Sequence, residues 1–251
     1  MKKTLAIILH YNTPEVTEKL YGVLKPHEGT IYDLKVMDND SDEDKKFEAA
    51  EIVNKKNLFF GGGLQTAFDY FRKNNSKYDS LLFLNSDLVV FGPTYVSTLR
   101  KALFDNPEYK IISPALVGDW NSIPPLSMHK HMNSWGATSI RPVKYVDFET
   151  PLFHGDFVNQ INYPSDLMFG IGQDHLSGLY CEERGWKIGV IDWMNAFHYW
   201  AYTIRSGKAK LNLETFAHVS NQQLFDYVEK HNLMDWLQES FKYGVEYEWG
   251  E

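Results

Sequence analysis

The chain has 251 residues, enough to bury one substantial core as a single α/β domain, with or without a C-terminal extension. Its formal net charge of −8 argues against a nucleic-acid backbone as the main partner, because neutralising phosphates takes a face rich in lysine and arginine. The one cysteine, Cys181, can form neither an intramolecular disulfide nor a zinc cluster, which sets the expectation of a reducing compartment, the cytoplasm.

Behind Met1-Lys2-Lys3, the apolar run from Thr4 to Leu9 has the outline of a signal peptide, but it stops at His10-Tyr11-Asn12 with no small-residue cleavage site. It reads instead as a first strand over residues 4 to 10, buried on both faces of a parallel sheet. No run approaches the roughly 20 apolar residues of a bilayer span, so peripheral contact is the one membrane mode left. Thr13-Pro14-Glu15 supplies an N-cap, a proline at the first helical position and an early acid, predicting a helix to Leu24. A second strand over 33–37 ends in Asp38-Asn39-Asp40-Ser41-Asp42 and leads into a predicted helix over 43–50. Ile52-Val53 reads as a short strand. Asn57-Leu58-Phe59-Phe60-Gly61-Gly62-Gly63 reads as a glycine turn before a helix over 64–72.

Leu81-Leu82-Phe83-Leu84 is the most apolar strand and runs into Asn85-Ser86-Asp87, followed by a helix over 93–104 and a strand over 111–116. Strands alternating with helices at this spacing predict an open α/β sheet with its ligand site at the carboxyl ends of the strands. Residues past 117 read as a long loop, with Pro124-Pro125, Met128 and Trp135-Gly136. Within it His129 and His131 form an H-x-H pair with no carboxylate set nearby, which reads as loop. A strand follows over 144–148, then a helix over 174–184 closed by Gly185 and a strand over 187–192. The aromatics from Trp193 to Trp200 read as core and Cys181 as helix packing. From Leu213 the chain reads as helices that dock on the domain, with Ser220-Asn221-Gln222-Gln223 as a capping box.

Asp87 is the best single metal candidate, since a carboxylate at a strand end beside an amide and a hydroxyl suits a hard divalent cation bridging phosphates. An isolated Asn-x-Asp, however, more often caps a turn. Asp38 fits a contact to a base or ribose and fits an Asx turn equally well. The three glycines lack the G-x-G-x-x-G order of a dinucleotide loop and do not follow the first strand.

Taken together, these residues resemble glycosyltransferase family 2. The resemblance rests on Tyr11-Asn12, on Asp38-Asn39-Asp40-Ser41, on Asn57 through Gly63, and on Asn85-Ser86-Asp87. It continues through Phe169-Gly170-Ile171-Gly172-Gln173-Asp174-His175-Leu176, Arg184-Gly185 and Ala196-Phe197-His198, and so covers the chain to about residue 207. Three positions depart from the family pattern: Asn85 stands for the first carboxylate of Asp-x-Asp, Gln173 for a glutamate, and Leu64-Gln65 for asparagines.

The resemblance implies a GT-A type, Rossmann-like, open and mostly parallel sheet flanked by helices, with a C-terminal helical extension. It implies a metal-dependent, hexosyltransferase-like enzyme of glycan biosynthesis that inverts the anomeric carbon of a UDP-sugar donor. Asp174 is then the general base, and Asp87 and His198 hold Mn²⁺ or Mg²⁺. Tyr11, Asn12, Asp38, Asn39, Ser41, Asn57, Phe60, Gly61, Gly62, Asn85 and Ser86 line the nucleotide-sugar pocket. Trp135, Asp147, Glu149 and Gln173 are candidate contacts to the sugar or to a glycan, lipid-linked or other hydroxyl acceptor. Arg205, Lys208 and Lys210 read equally as a lid over the diphosphate and as a solvated basic turn. The expected division is a donor half over 1–117, an acceptor and catalytic half over 118–210, and the extension over 211–251. The alternatives are a nucleotidyltransferase, which lacks its glycine-rich basic loop because Leu9 to Pro14 holds no glycine, lysine or arginine, and a non-catalytic nucleotide-sugar or glycan-binding module.

Overall fold

Strand β1 (Lys3–His10) leads into helix α1 (Pro14–Leu24), then come β2 (Tyr32–Asp38), β3 (Ala50–Val53) and α2 (Phe59–Lys73). Next are β4 (Tyr78–Asn85), β5 (Leu88–Val90), α3 (Tyr95–Asp105), β6 (Tyr109–Val117), β7 (Arg141–Val143), β8 (Leu152–His154) and α4 (Gly155–Gln160). The chain continues with α5 (Gln173–Glu182), β9 (Lys187–His198), α6 (Tyr202–Arg205), α7 (Leu213–Lys230) and α8 (Met234–Glu246). This computed structural model describes residues 2–117, 129–167, 169–199 and 202–248. The loop expected around Pro124-Pro125 and Met128, and Trp200 of the late aromatic stretch, lie outside them.

The strands form one sheet in the order β3-β2-β1-β4-β8-β6-β9-β5, with β7 added beside β9. Its long ladders, β1 with β2, β1 with β4, and β6 with β9, are all parallel, while the antiparallel pairings of β5, β7 and β8 are short. Leu5 to Ile8 on β1 and Leu81 to Leu84 on β4 are fully buried, as strands covered on both faces must be. The chain moves outward from β1 to β2 and β3, then returns to add β4 on the other side. That switch point leaves a crevice at the carboxyl ends of β1 and β4, where Thr13 and Ser86 meet through their hydroxyls at 3.1 Å.

Four expected elements take another form. Residues 43–50 make only a 3-10 turn at Glu43–Lys45 before β3. Phe47 is the single large apolar residue of that stretch and packs edge-on against Tyr21, so no helical stripe exists to bury, and His10 Nε2 donates to the Lys45 carbonyl at 2.9 Å. Gly61, Gly62 and Gly63 lie inside α2, in its first two turns. There a Cβ on Gly63 would come within 2.8 Å of Leu9, so this glycine serves helix-to-strand packing. The strand expected over 144–148 does not form: the backbone runs unpaired into a turn at Phe148-Glu149, and Asp147 and Glu149 meet His129 and His198. Helix α7 is capped by Asn212, whose side chain accepts from the Thr215 amide at 2.8 Å, so the expected capping box lies in its interior.

Strand β9 carries a bulge: Ile191 pairs with Pro114, and the next pairing joins Asn195 to Ala115. The bulge turns Asp192 inward onto Arg141 at 2.9 Å, both side chains wholly buried. The guanidinium also donates to the His131 and Asn133 carbonyls, and Asp192 accepts from the Trp135 and Ala137 amides. A charge pair so buried is retained because its donors and acceptors are satisfied; losing one partner typically costs about 3–5 kcal/mol. Trp193, in the bulge, is 47% exposed and is not a core residue. Helices α7 and α8 close a separate apolar cluster with Leu167, Leu176, Leu224, Val228 and Leu237. Among the described residues no helix is long and apolar enough to cross a membrane.

Candidate active site

Asp87 follows β4, and His198 ends β9, which pairs through β5 so that Leu88 stands opposite His198. This register brings His198 Nε2 to 3.1 Å from Asp87 Oδ1. The same nitrogen is 3.1 Å from Glu149 Oε2. Asn85, where a second carboxylate was expected, donates its side-chain amide to Glu149, and its backbone amide donates to the Glu149 carbonyl at 3.0 Å. Glu149 thus supplies the second carboxylate from a segment 64 residues away in sequence.

Burial raises the Glu149 carboxyl to about 7; the His198 charge opposes this, and Asp87 and Asp147 reinforce it. Burial also works against protonated His198, yet the charges of Glu149 and Asp87 outweigh it and raise the imidazole to about 9. Attraction between the His198 ring and these two carboxylates holds the cluster together. Among the described residues no group of three His, Cys, Asp or Glu side chains has the arrangement of a preformed metal centre. The donor chemistry nonetheless fits a divalent cation: two carboxylates and one imidazole suit Mn²⁺ or Mg²⁺.

Negative charge continues away from this cluster. Asp147 is bonded to His129 Nδ1 at 2.7 Å. Burial disfavours the charged His129 ring, but the bond to Asp147 and the charges of Asp147, Asp174 and Glu149 raise it to about 8. The two histidines part ways: His129 meets a carboxylate that the sequence did not place near it, while His131 is wholly buried against Tyr145 and Tyr243. Asp174 sits in the first turn of α5, behind Gly172 at φ 105°, a left-handed position that suits glycine. Its Oδ1 accepts from the His175 amide at 2.8 Å, and the side chain is half-buried. Gln173 does not face an acceptor: it is wholly buried and donates to the Leu167 carbonyl. Trp135 is 42% exposed, with its indole N–H donating to the Lys130 carbonyl at 3.3 Å.

At the carboxyl ends of β1 and β2 most of the sequence-predicted nucleotide residues are spent on one another. Asn12, at φ 56°, donates to Asp42 and to the Lys208 carbonyl, and its backbone amide bonds Ser41. Asn39 ties Asn54, Asn57, Leu58 and Phe59 together. Phe60 packs edge-on against Phe83, and Gly61 and Gly62 are buried in α2. In this corner Tyr11 Oη and Asp38 Oδ2 are buried without a hydrogen-bond partner among the described residues, with His10 Nε2 3.7 Å from Asp38 Oδ2. Asp38 Oδ1 meanwhile accepts from the Ser41 amide at 2.8 Å, so the Asx turn is formed and one oxygen is left over. The segment from Tyr202 to Lys210 spans from Asp87 to this corner. The Tyr202 amide approaches Asp87 Oδ2 at 3.4 Å, Lys208 pairs with Glu15, and Lys210 lies 3.3 Å from Asp42. Arg205 is exposed at the end of α6.

Solved structures share this architecture. The fold is that of GT-A glycosyltransferases. The S. aureus TarS fragment 1–349 matches with a TM-score of 0.56 at 13% identity, over 90% of this chain and 72% of that one. Glucosyl-3-phosphoglycerate synthase from Mycobacterium tuberculosis, solved with Mn²⁺, UDP and glucosyl-3-phosphoglycerate, matches with a TM-score of 0.60 at 13% identity, over 91% and 79%. GalNAc-T7 with UDP, GalNAc and Mn²⁺ matches at 0.53 and 10% identity, over 78% and 43%. No protein-family model and no curated protein sequence matches the chain.

Proposed function

We propose that this protein is an inverting glycosyltransferase that moves a sugar from a UDP-sugar to a hydroxyl of a glycan, lipid-linked or other acceptor. The observation that carries this reading is the convergence of Asp87, Glu149 and His198 at one end of a charged cleft on a GT-A fold, with Asp174 at the start of α5 contributing its charge to the same cleft. The neighbours solved with UDP and Mn²⁺ support the donor class and the metal.

In this reading Tyr11 and Asp38 meet the nucleoside, since a buried acceptor and hydroxyl that lack a hydrogen bond are costly until a ligand supplies one. Asn12, Asn39, Ser41, Asn57, Phe60, Gly61, Gly62 and Ser86 shape that corner. Asp87, Glu149 and His198 hold Mn²⁺ or Mg²⁺, with Asn85 orienting Glu149. A bound divalent cation supplies positive charge where the diphosphate leaves. Asp174 takes the proton of the acceptor hydroxyl as its oxygen bonds to the anomeric carbon, and the bond from that carbon to the diphosphate oxygen breaks. One displacement inverts the carbon and needs no covalent enzyme intermediate. Lys208 and Arg205 belong to a segment that closes over the diphosphate, while Trp135 and Asp147 border the acceptor side.

The test is Asp174→Asn, assayed for UDP release with Mn²⁺ across a panel of UDP-sugars. We expect turnover to fall at least 100-fold while the thermal shift produced by UDP and Mn²⁺ is kept. Full activity in this variant sinks the reading.

A further inference from the structure

Next to Asp174, the His175 ring turns away from the cleft and meets the C-terminal helix. Its Nδ1 lies 2.6 Å from Ser240 Oγ, with both residues buried. The ring also packs on Phe241 at 4.6 Å and on Tyr145 at 4.2 Å. One turn further along α8, Gly244 lies against the other arm of the cleft. A Cβ there would come within 2.1 Å of Tyr145 Oη and 3.3 Å of His129 Cδ2. Tyr145 is 1% exposed and packs on His131, so its hydroxyl has nowhere to move. Tyr243 accepts from the Lys144 amide at 3.2 Å, which fixes the start of the segment carrying Asp147 and Glu149.

Leu237, Ser240, Phe241 and Gly244 fall at i, i+3, i+4 and i+7, one face of the helix. Glycine is the least favourable residue after proline inside a helix, so its presence on the packed face marks a close approach that any side chain would prevent. The same face touches both segments that bring acids into the cleft, one through His175 and the other through Tyr145 and His129.

We propose that α8 is a positioning element for the transfer reaction, with Ser240 setting the start of α5 that carries Asp174 and Gly244 setting the His129–Asp147 pair. This rests on Asp174 being the general base. Neither residue touches the donor corner, so the effect falls on turnover and not on donor binding.

The full-length chain is compared with Ser240→Ala, Ser240→Thr, Gly244→Ala, Gly244→Val and Asp174→Asn. UDP release from UDP-glucose and UDP-N-acetylglucosamine is followed with Mn²⁺, together with the UDP–Mn²⁺ thermal shift and the histidine side-chain NMR signals. The expected result is that Ser240→Ala and Gly244→Val lower kcat tenfold or more with donor KM and the ligand-induced shift within twofold of wild type. The His175 signals move in the first variant, the His129 signals in the second, and Ser240→Thr recovers most of the kcat. Should Gly244→Val fail to fold, Gly244→Ala and Ser240→Ala carry the test. Folded variants whose histidine signals and kcat match wild type overturn the proposal. If either donor proves inert, unmoved His129 and His175 signals in folded variants overturn it alone. An active Asp174→Asn enzyme removes the base reading instead, whatever α8 does.

Discussion

His129 shows how one residue manages the concentration of carboxylates in the cleft. It is bonded to Asp147 at 2.7 Å and is raised to about 8, against its burial, by that bond and by the charges of Asp147, Asp174 and Glu149. Because its folded value lies above the unfolded value of about 6.5, its stabilising contribution is complete below pH 6.5 and is lost as pH rises through 8. A shift of that size is worth about 2 kcal/mol by linkage. In urea denaturation, the stability gap between wild type and His129→Gln should therefore narrow by about that amount between pH 6 and pH 9. A gap constant across this window would remove the charged pair from the account. The residue was within reach of sequence reading in part. His129-x-His131 and Asp147-x-Glu149 both stood out as patterns, but no spacing rule joins residues 18 apart through a loop, and Glu149 gave no sign that it would stand where Asn85 lacks a carboxylate. Asp87, in contrast, stands just past the end of an apolar run, a place visible in sequence, whereas His198 lies six residues beyond the expected strand over 187–192 and was reached through the family resemblance.

At the scale of elements, α7 separates two kinds of local signal. Asn212 makes an N-cap bond to Thr215, whereas Ser220 is 1% exposed with its hydroxyl unpartnered among the described residues. Asn212→Ala should cost about 1 kcal/mol, the usual worth of a cap. Ser220→Ala should be neutral or stabilising, because it removes a buried polar atom that has no bond to lose. Equilibrium urea denaturation of the two variants checks both, and a destabilising Ser220→Ala would return the cap to residue 220. The Ser-x-x-Gln pattern misled because a local motif cannot tell a helix start from a helix interior. Residues 43–50 misled for a related reason: propensity favoured a helix, but pairing of β3 with β2 at Asp38 and Val53 outweighed it. Where an apolar run was long, as in β1 and β4, or where proline opens a helix, as in α1, sequence and structure agree to within a few residues, although Thr13 makes no cap bond and meets Ser86 instead.

Across the whole molecule the cleft draws on distant parts of the chain. In the proposed reading the nucleoside corner comes from residues 11 to 62 together with Ser86, the metal ligands from 87, 149 and 198, and the base from 174. The frame behind the base comes from the last 40 residues or so, which cover Leu167 and Leu176 with Leu224, Val228 and Leu237. Ending the chain after Lys210 would leave Leu167 and Leu176 uncovered, at about 2 kcal/mol for each side chain. Loss of the Ser240 bond and of the cover over His131 and Tyr145 adds to this. Against a total stability of about 5–15 kcal/mol, that loss is a large fraction. The shortened chain should melt at a clearly lower temperature and bind the apolar dye ANS, as exposed hydrophobic surface does. Because α8 packs on α7 and on the turn over 130–132, any folded fraction should still show a UDP–Mn²⁺ thermal shift. A shortened chain that melts with wild type and ignores ANS would mean that the helices add nothing to the packing of α5, and the positioning role of α8 would fall with it.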